Sequence, residues 1–359
     1  RHLLGASGRR IVQRQAIAHD ADHRVTGTPR QGRGNKVGGR HQAIAVGVML
    51  VHADCIETAG RGEFELIYEV IIHMMGAFGI EETRVDIDPD GRHLWAIDRC
   101  GENSCAGSNL DPILKIDPNG NVVTAIGGGL MLFPHGLHVD RDGNIWVTDA
   151  QGPDAENPAT AGKGHVVYKL SPEGEILLTL GQPGVAGDGT NALLETPCDV
   201  VTDADGNIYV GDGHGGQNAG AAEGTVARIV KFDRNGNLIK YWGGWGSGAG
   251  ELKTPHALDI DSRNRLIVGD RGNNRLQIFD LSGNYIGEFK SFSRPSGIYI
   301  TDDDMIYVAD SESEFDNDRN PGWHAGIRVG SLLDGIVDYF IDGTVTAYPE
   351  GSNPEGVAV

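Results

Sequence analysis

Two histidines stand directly after a proline at the same place in a recurring pattern: His135 in Phe133-Pro134-His135-Gly136-Leu137 and His256 in Thr254-Pro255-His256-Ala257-Leu258. A further proline, Pro354, is followed by Glu355. Two imidazoles and a carboxylate brought to one point make a ligand set for zinc or another divalent first-row metal, with a position left for water or substrate. The plainer reading is that such a His hydrogen-bonds a neighbouring loop. Arg99 and Arg271 each follow an Asp at a second recurring place. Forked donors beside a metal would clamp a substrate carboxylate or an oxyanion; a salt bridge to a nearby acid is the alternative. His214, after Asp212-Gly213, is a candidate proton carrier because imidazole titrates near neutral pH. It is otherwise part of a Gly-rich insertion, His214-Gly215-Gly216-Gln217.

Convergence of these residues depends on the repeat that carries them. Four segments run from a Pro to an Asp 15 residues later: Pro134 to Asp149, Pro197 to Asp212, Pro255 to Asp270 and Pro295 to Asp310. A fifth copy lies over Thr83 to Asp98 with one extra residue near His93, and a sixth begins at Pro354. Within each, apolar and polar residues alternate across a turn such as Asp142-Gly143-Asn144, as in two short antiparallel strands. A third strand (Val167-Tyr168-Lys169-Leu170, for example) and a fourth follow. One twisted meander cannot bury both faces alone, so the units are expected to pack radially. The sequence predicts an all-β fold, a six-bladed β-propeller whose last blade is truncated to one strand. A β-solenoid, with shorter units, is the competitor. The first strands would line the channel and set His135, His256 and Glu355 on alternate blades, with Arg99 and Arg271 across from each other. Asp98, Asp149, Asp212, Asp270 and Asp310 recur in every complete unit, which assigns them a structural task such as binding backbone N–H groups of an adjacent blade.

The blade pattern covers residues 63–359. Residues 1–62 lack it, and the first 60 carry nine Lys/Arg against four Asp/Glu, although the whole chain has a net charge of −20. They form an atypical basic N-terminal segment on which no structure is forced. The acidic body repels nucleic acid and better fits a small or cationic ligand; the partner expected is a small-molecule or peptide substrate. The apolar stretch from Ala43 to Val51 is too short to span a bilayer, so no membrane partner is expected. The chain is expected to be a monomer. Cys100 and Cys105 either close a short disulfide loop or remain two free thiols. No signal peptide is visible at Arg1.

The units resemble NHL repeats, most clearly over Asp270-Arg271-Gly272-Asn273-Asn274-Arg275-Leu276-Gln277-Ile278-Phe279. Within that superfamily, Phe133-Pro134-His135-Gly136-Leu137, Trp146-Val147-Thr148-Asp149, Thr254-Pro255-His256-Ala257-Leu258 and Gly269-Asp270-Arg271 are similar, in that order, to peptidyl-α-hydroxyglycine α-amidating lyases. The resemblance implies a zinc site with His135 and His256 as two of three histidine ligands, and Arg99 and Arg271 as the two active-site arginines. It implies cleavage of the C–N bond of a hydroxyglycine-ended peptide, giving the amide and glyoxylate, in a secreted or periplasmic protein. The chain departs from that pattern in three places. Glu355 stands for the third zinc histidine, His214 for a catalytic tyrosine, and Gly356 for an aspartate that helps to bind a structural calcium. The first two make Glu355 the third ligand and His214 the base; the third counts against calcium. The rival readings are a non-catalytic NHL module that binds a peptide or protein through exposed patches near Trp242 and Trp245, and a calcium-dependent lactonase-like hydrolase. The latter would need several carboxylates around the axis, where this ring offers Glu355 alone.

Overall fold

A computed structural model describes residues 48–50, 71–73, 84–100, 103–314, 318–342 and 355–359. Its main body is a set of five four-stranded antiparallel meanders, each in chain order from the inner strand outward. Blade 1 comprises Val85–Ile87, Leu94–Ile97, Ile113–Ile116 and Val122–Ile126; blade 2, Pro134–Val139, Ile145–Asp149, Val166–Leu170 and Ile176–Gly181. Blade 3 comprises Pro197–Thr202, Ile208–Asp212, Arg228–Phe232 and Leu238–Gly243; blade 4, Pro255–Ile260, Arg265–Asp270, Arg275–Asp280 and Tyr285–Phe289. Blade 5 comprises Gly297–Ile300, Met305–Asp310, Gly326–Ser331 and Val337–Asp342.

The β-propeller of NHL-type units is therefore present, but with five blades among the described residues and not six. In the place of a sixth sheet there is one short segment, residues 355–359. Its Val357 packs with Tyr307, Ala309 and Ile327 of blade 5, and its Ala358 with Val85, Leu94 and Leu114 of blade 1. One strand's worth of apolar side chains thus seals the gap between the first and last blades. Ile71–His73 pairs with Val48–Leu50 in a separate two-stranded ribbon. The rest of the basic segment over residues 1–62, and Thr83, lie outside the described residues.

The core is divided among the seams between blades. Trp95, Ile97 and Ile113 of blade 1 meet Leu137, Ile145 and Val147 of blade 2. Similar sets join blades 2 and 3, 3 and 4, and 4 and 5. Each second strand is buried along its length because both of its faces meet a neighbouring sheet. The fourth strands expose residues such as Val123, Ile239 and Tyr339 at the rim. A polar ladder supports blades 1 to 3: Asp88, Asp140 and Asp203 accept hydrogen bonds at 3.0 Å from Trp95, Trp146 and Tyr209. Lys115, Lys169 and Lys231 lie over the same rings.

The recurring Asp at the end of each second strand does have a structural task, although its target differs from the expected one. Asp149 accepts from the N–H groups of Leu132 and Phe133, Asp212 from Glu195 and Thr196, and Asp270 from Lys253 and Thr254. These residues form the connection entering the carboxylate's own blade, not an adjacent sheet. The Asp sits opposite the Pro that starts the blade, in direct register at Pro134–Asp149, Pro197–Asp212 and Pro255–Asp270. In blades 3, 4 and 5 a buried Arg at the third strand neutralises it: Arg228 at 3.0 Å, Arg275 at 2.9 Å and Arg328 at 3.4 Å. Blade 2 has Val166 where blades 3 and 4 have Arg, and burial pushes Asp149 up to about 6 against the pull of the Phe133 and Leu132 N–H groups.

Replacing Arg228 by Met should leave Asp212 buried without its cation and destabilise the protein by about 3–5 kcal/mol, measurable by chemical denaturation. A second expectation concerns Asp259 on the channel side, which burial raises to about 7, with the charge of Asp86 adding to the effect. A carboxyl raised on folding favours the folded state at acid pH, and that contribution is lost as pH rises from about 4 to about 7. Relative to wild type, Asp259→Asn should therefore gain in melting temperature as the pH is raised from 4.5 to 7.5. A constant difference between the two melting curves would refute this.

Candidate metal centre

The first strands carry an irregularity that decides where their side chains go. In blade 4, Pro255 pairs with Asp270 and Ala257 with Gly269, so His256 has no residue opposite it. Blade 3 skips Cys198 in the same way, and blade 2 slips between Pro134 and Leu137. An extra residue in one strand bends the ladder and re-aims its side chain. Here the extra residue is the one after Pro.

Each bulged His is then pinned from the next blade. His135 Nδ1 lies 2.7 Å from the carbonyl of Cys198, and His256 Nδ1 lies 2.8 Å from that of Ser296. A carbonyl only accepts, so Nδ1 carries the proton and Nε2 keeps its lone pair. Both Nε2 atoms are buried without a hydrogen-bond partner. This is the arrangement of a metal-ligating imidazole, with one nitrogen held by a carbonyl and the other presented. Burial lowers both ring pKa values well below the usual range; His214 and Arg99 add to the effect at His135, and Arg271 and His135 at His256. Both rings are neutral at neutral pH, the state in which a His can ligate a metal.

The third member of the cluster is His214. The ligand atoms of His135, His214 and His256 all lie within 4.8 Å of one another, and the ring centroids are 4.6 to 5.4 Å apart. His214 arrives on a short 3-10 turn, His214–Gln217, that requires glycine at its N-cap, Gly213, and at Gly216. Gly213 has φ of 132°, and a Cβ on Gly216 would stand 1.5 Å from the carbonyl oxygen of Lys253. Only a bare backbone approaches blade 4 that closely. The motif that reads as a slack insertion is a tight delivery of His214 and Gln217 to the channel mouth.

Glu355 occupies a different place from the one expected of a third ligand. Its carboxylate accepts a hydrogen bond from Ser311 Oγ, which is in turn 2.7 Å from Ser296 Oγ, and it lies 3.5 Å from Arg271 Nη1. Arg271 also reaches His214 Nε2 at 3.3 Å, Gln217 at 3.2 Å and Glu312 at 3.7 Å. The sequence assigned Glu355 to the metal and His214 to proton transfer; the geometry puts His214 in the histidine cluster and Glu355 with the arginine beside it. Arg99, on the other flank, stacks 4.0 Å above Phe133, whose ring is 5.8 Å from that of His135. It donates to the Pro134 carbonyl at 2.9 Å and to Asn103 at 2.7 Å. Asn103 lies inside the loop that Cys100 and Cys105 close as a disulfide, while Cys198 is a free, buried thiol.

Below the histidines is a residue that the sequence reading missed. Arg84, at the head of blade 1, is buried, donates to the carbonyl of His256 at 2.7 Å and lies 3.5 Å from Asp199. No motif marks it, because the residues aligned with it in the other blades are Gly136, Asp199, Ala257 and Gly297, with no recurring cation. Trp242 and Trp245, candidates for an exposed binding patch, instead pack against the core between blades 3 and 4.

Comparison with known proteins agrees with this architecture. An NHL repeat is recognised over residues 252–279. Mouse NHL repeat-containing protein 3 is 31% identical over 211 residues, 56% of each chain. A probable peptidyl-α-hydroxyglycine α-amidating lyase of Caenorhabditis elegans is 32% identical over 197 residues, covering 54% of this chain and 49% of that one. Mouse peptidyl-glycine α-amidating monooxygenase is 35% identical over 178 residues, 47% of this chain and 16% of the other. The chain thus matches about half the length, or less, of these relatives. Among solved structures, a Bacteroides caccae protein of unknown function shares the fold with a TM-score of 0.51 at 10% identity, over 76% of this chain and 84% of that one. The chain is an NHL-repeat β-propeller that resembles the peptidyl-α-hydroxyglycine α-amidating lyases.

Proposed function

We propose that this chain is a metal-dependent lyase acting at the histidine mouth of the channel on a peptidyl-α-hydroxyglycine or a similar small carbinol. The observation that carries the reading is the pair of buried Nε2 atoms with no partner, each on a ring locked in the ligating tautomer, with His214 completing the cluster. An all-imidazole set suits zinc best, and the donor chemistry fits the group. Zinc bound there would act as a Lewis acid on the carbinol oxygen. Glu355 would neither ligate the metal nor stand idle. Held by Ser311 and Arg271, it is the carboxylate that takes the carbinol proton; as the C–N bond breaks, a proton returns to the amide nitrogen, leaving a peptide amide and an aldehyde acid. Arg99 and Arg271, on opposite flanks of the histidines, attract the anionic end of the substrate. The polar mouth suits a soluble substrate of this kind.

The resemblance to NHL repeat-containing protein 3 supports a second reading, a propeller that binds a partner without chemistry. Trp242 and Trp245, named for such a patch, are partly buried against the core between blades 3 and 4.

Metal analysis and turnover on the same variants separate the roles. Purified wild type should hold about one equivalent of zinc, and His135→Ala and His256→Ala less than about 0.2. His214→Ala should weaken zinc binding, whereas Glu355→Gln should retain the metal and lose about 10²–10⁴-fold in the release of glyoxylate from a peptidyl-α-hydroxyglycine. Wild type holding less than about 0.2 equivalents, with no change in the histidine variants, would remove the mechanism. Peptide binding unaffected by chelator would favour the second reading. Gly216→Ala should act as a partial His214 deletion, because the added methyl cannot coexist with the Lys253 carbonyl; zinc affinity should fall although no ligand has been changed.

A further inference from the structure

The lyase resemblance implies a structural calcium in the channel, bound in part by an aspartate at the position of Gly356, and the residues found there do not fit one. Gly356 has no carboxylate to offer. A Cβ placed on Gly297 would stand 3.1 Å from both the Gly356 Cα and Arg84 Nη1, so the guanidinium and Gly356 occupy the same corner of the channel. Calcium needs six to eight oxygen ligands, and two of the oxygens at this level already accept hydrogen bonds. The His256 carbonyl accepts from Arg84 at 2.7 Å, and Asp199 Oδ2 accepts from the Leu258 N–H at 2.9 Å. One layer down, Asp86 accepts from Ile87 and Val139, and Asp259 from Ile260 and Ile300. His138 faces Asp86 at 3.3 Å. These groups line a cavity of about 140 Å³ whose upper wall includes Arg84 and Asp199.

We propose that Arg84 is the channel's own cation: its guanidinium ties blade 1 to the His256 carbonyl of blade 4 and to Asp199 of blade 3, performs the task of a structural calcium, and makes the fold independent of that ion. The tie reaches 172 residues along the chain to the opposite side of the ring. A guanidinium is suited to this work because its fork can hold a carbonyl and a carboxylate together and its charge is permanent. Asp199 is pushed up by burial and pulled back by Arg84. Above the tie, the same arginine fixes the backbone of His256 while Ser296 fixes its ring, so Arg84 is a positioning residue for the proposed zinc ligand. That second role rests on the zinc reading; the structural role does not.

The test is thermal melting of metal-stripped protein in EGTA and in excess calcium. Wild type should melt at the same temperature in both. Arg84→Met should melt roughly 5–10 °C lower, because Asp199 is left buried and uncompensated. Arg84→Lys, which keeps the charge but not the fork, should recover part of the loss, as should the Arg84→Met/Asp199→Asn double variant. A wild-type melting temperature that rises clearly with calcium would overturn the proposal, as would Arg84→Met melting like wild type. Should Arg84→Met fail to fold, the wild-type comparison decides alone. In a separate arm, zinc affinity of Arg84→Met should fall about 10–100-fold. If wild type binds no zinc, that arm reports on the zinc reading, and the melts still report on Arg84.

Discussion

The structure depends on one extra residue in a strand. If the ladder of each first strand ran without interruption, the residue after Pro would alternate with its neighbours and face a blade seam. Because the pairing skips it, His256 faces the channel, and the next blade's carbonyl at the same register fixes the proton on Nδ1. The same carbonyl hydrogen bond recurs between His135 and Cys198. Aim and tautomer of both rings are thus set by backbone atoms of adjoining blades, and a change in blade packing would be felt at the Nε2 atoms first.

Charge is layered along the channel. The mouth holds Arg99 and Arg271 with Glu355 and Glu312; beneath it are the neutral histidines; then come Arg84 and Asp199, and lowest the Asp86, His138 and Asp259 group. The mouth and the two lower layers each combine groups of opposite sign. A neutral layer between two cationic ones suits the capture of a metal cation only if its ligands are strong, and three imidazoles provide that. The flanking guanidiniums also raise the local potential, which favours an anionic ligand approaching from the mouth.

Much of this was legible in the residues, and the limits have physical causes. The spacing of Pro and Asp gave the blades, because those two residues face each other across a hairpin and any change in length would break the pair. It also gave His135 and His256, which share that register. Six blades were counted because Pro354 to Val357 repeats the first-strand motif; among the described residues that motif adds one segment, as the truncation implied, and not a sixth sheet. His214 was read as loop and proton carrier because its position depends on Gly216 meeting the Lys253 backbone, a contact across blades that no local pattern encodes. Glu355 was aligned with a ligand by register, but Arg271 and Ser311 compete for its carboxylate. Arg84 left no trace in the repeat, since a long side chain that crosses to the opposite blade acts far from its own strand.

The five residues that hold Val357 and Ala358 also carry Glu355. The apolar pair fills the cores of the last and first blades, and the acid two positions earlier meets Arg271 at the mouth. Seating of this segment therefore couples two contacts: the apolar pair that closes the ring between blades 5 and 1 also fixes where Glu355 stands against Arg271, while the three histidines are held by blades 2, 3 and 4.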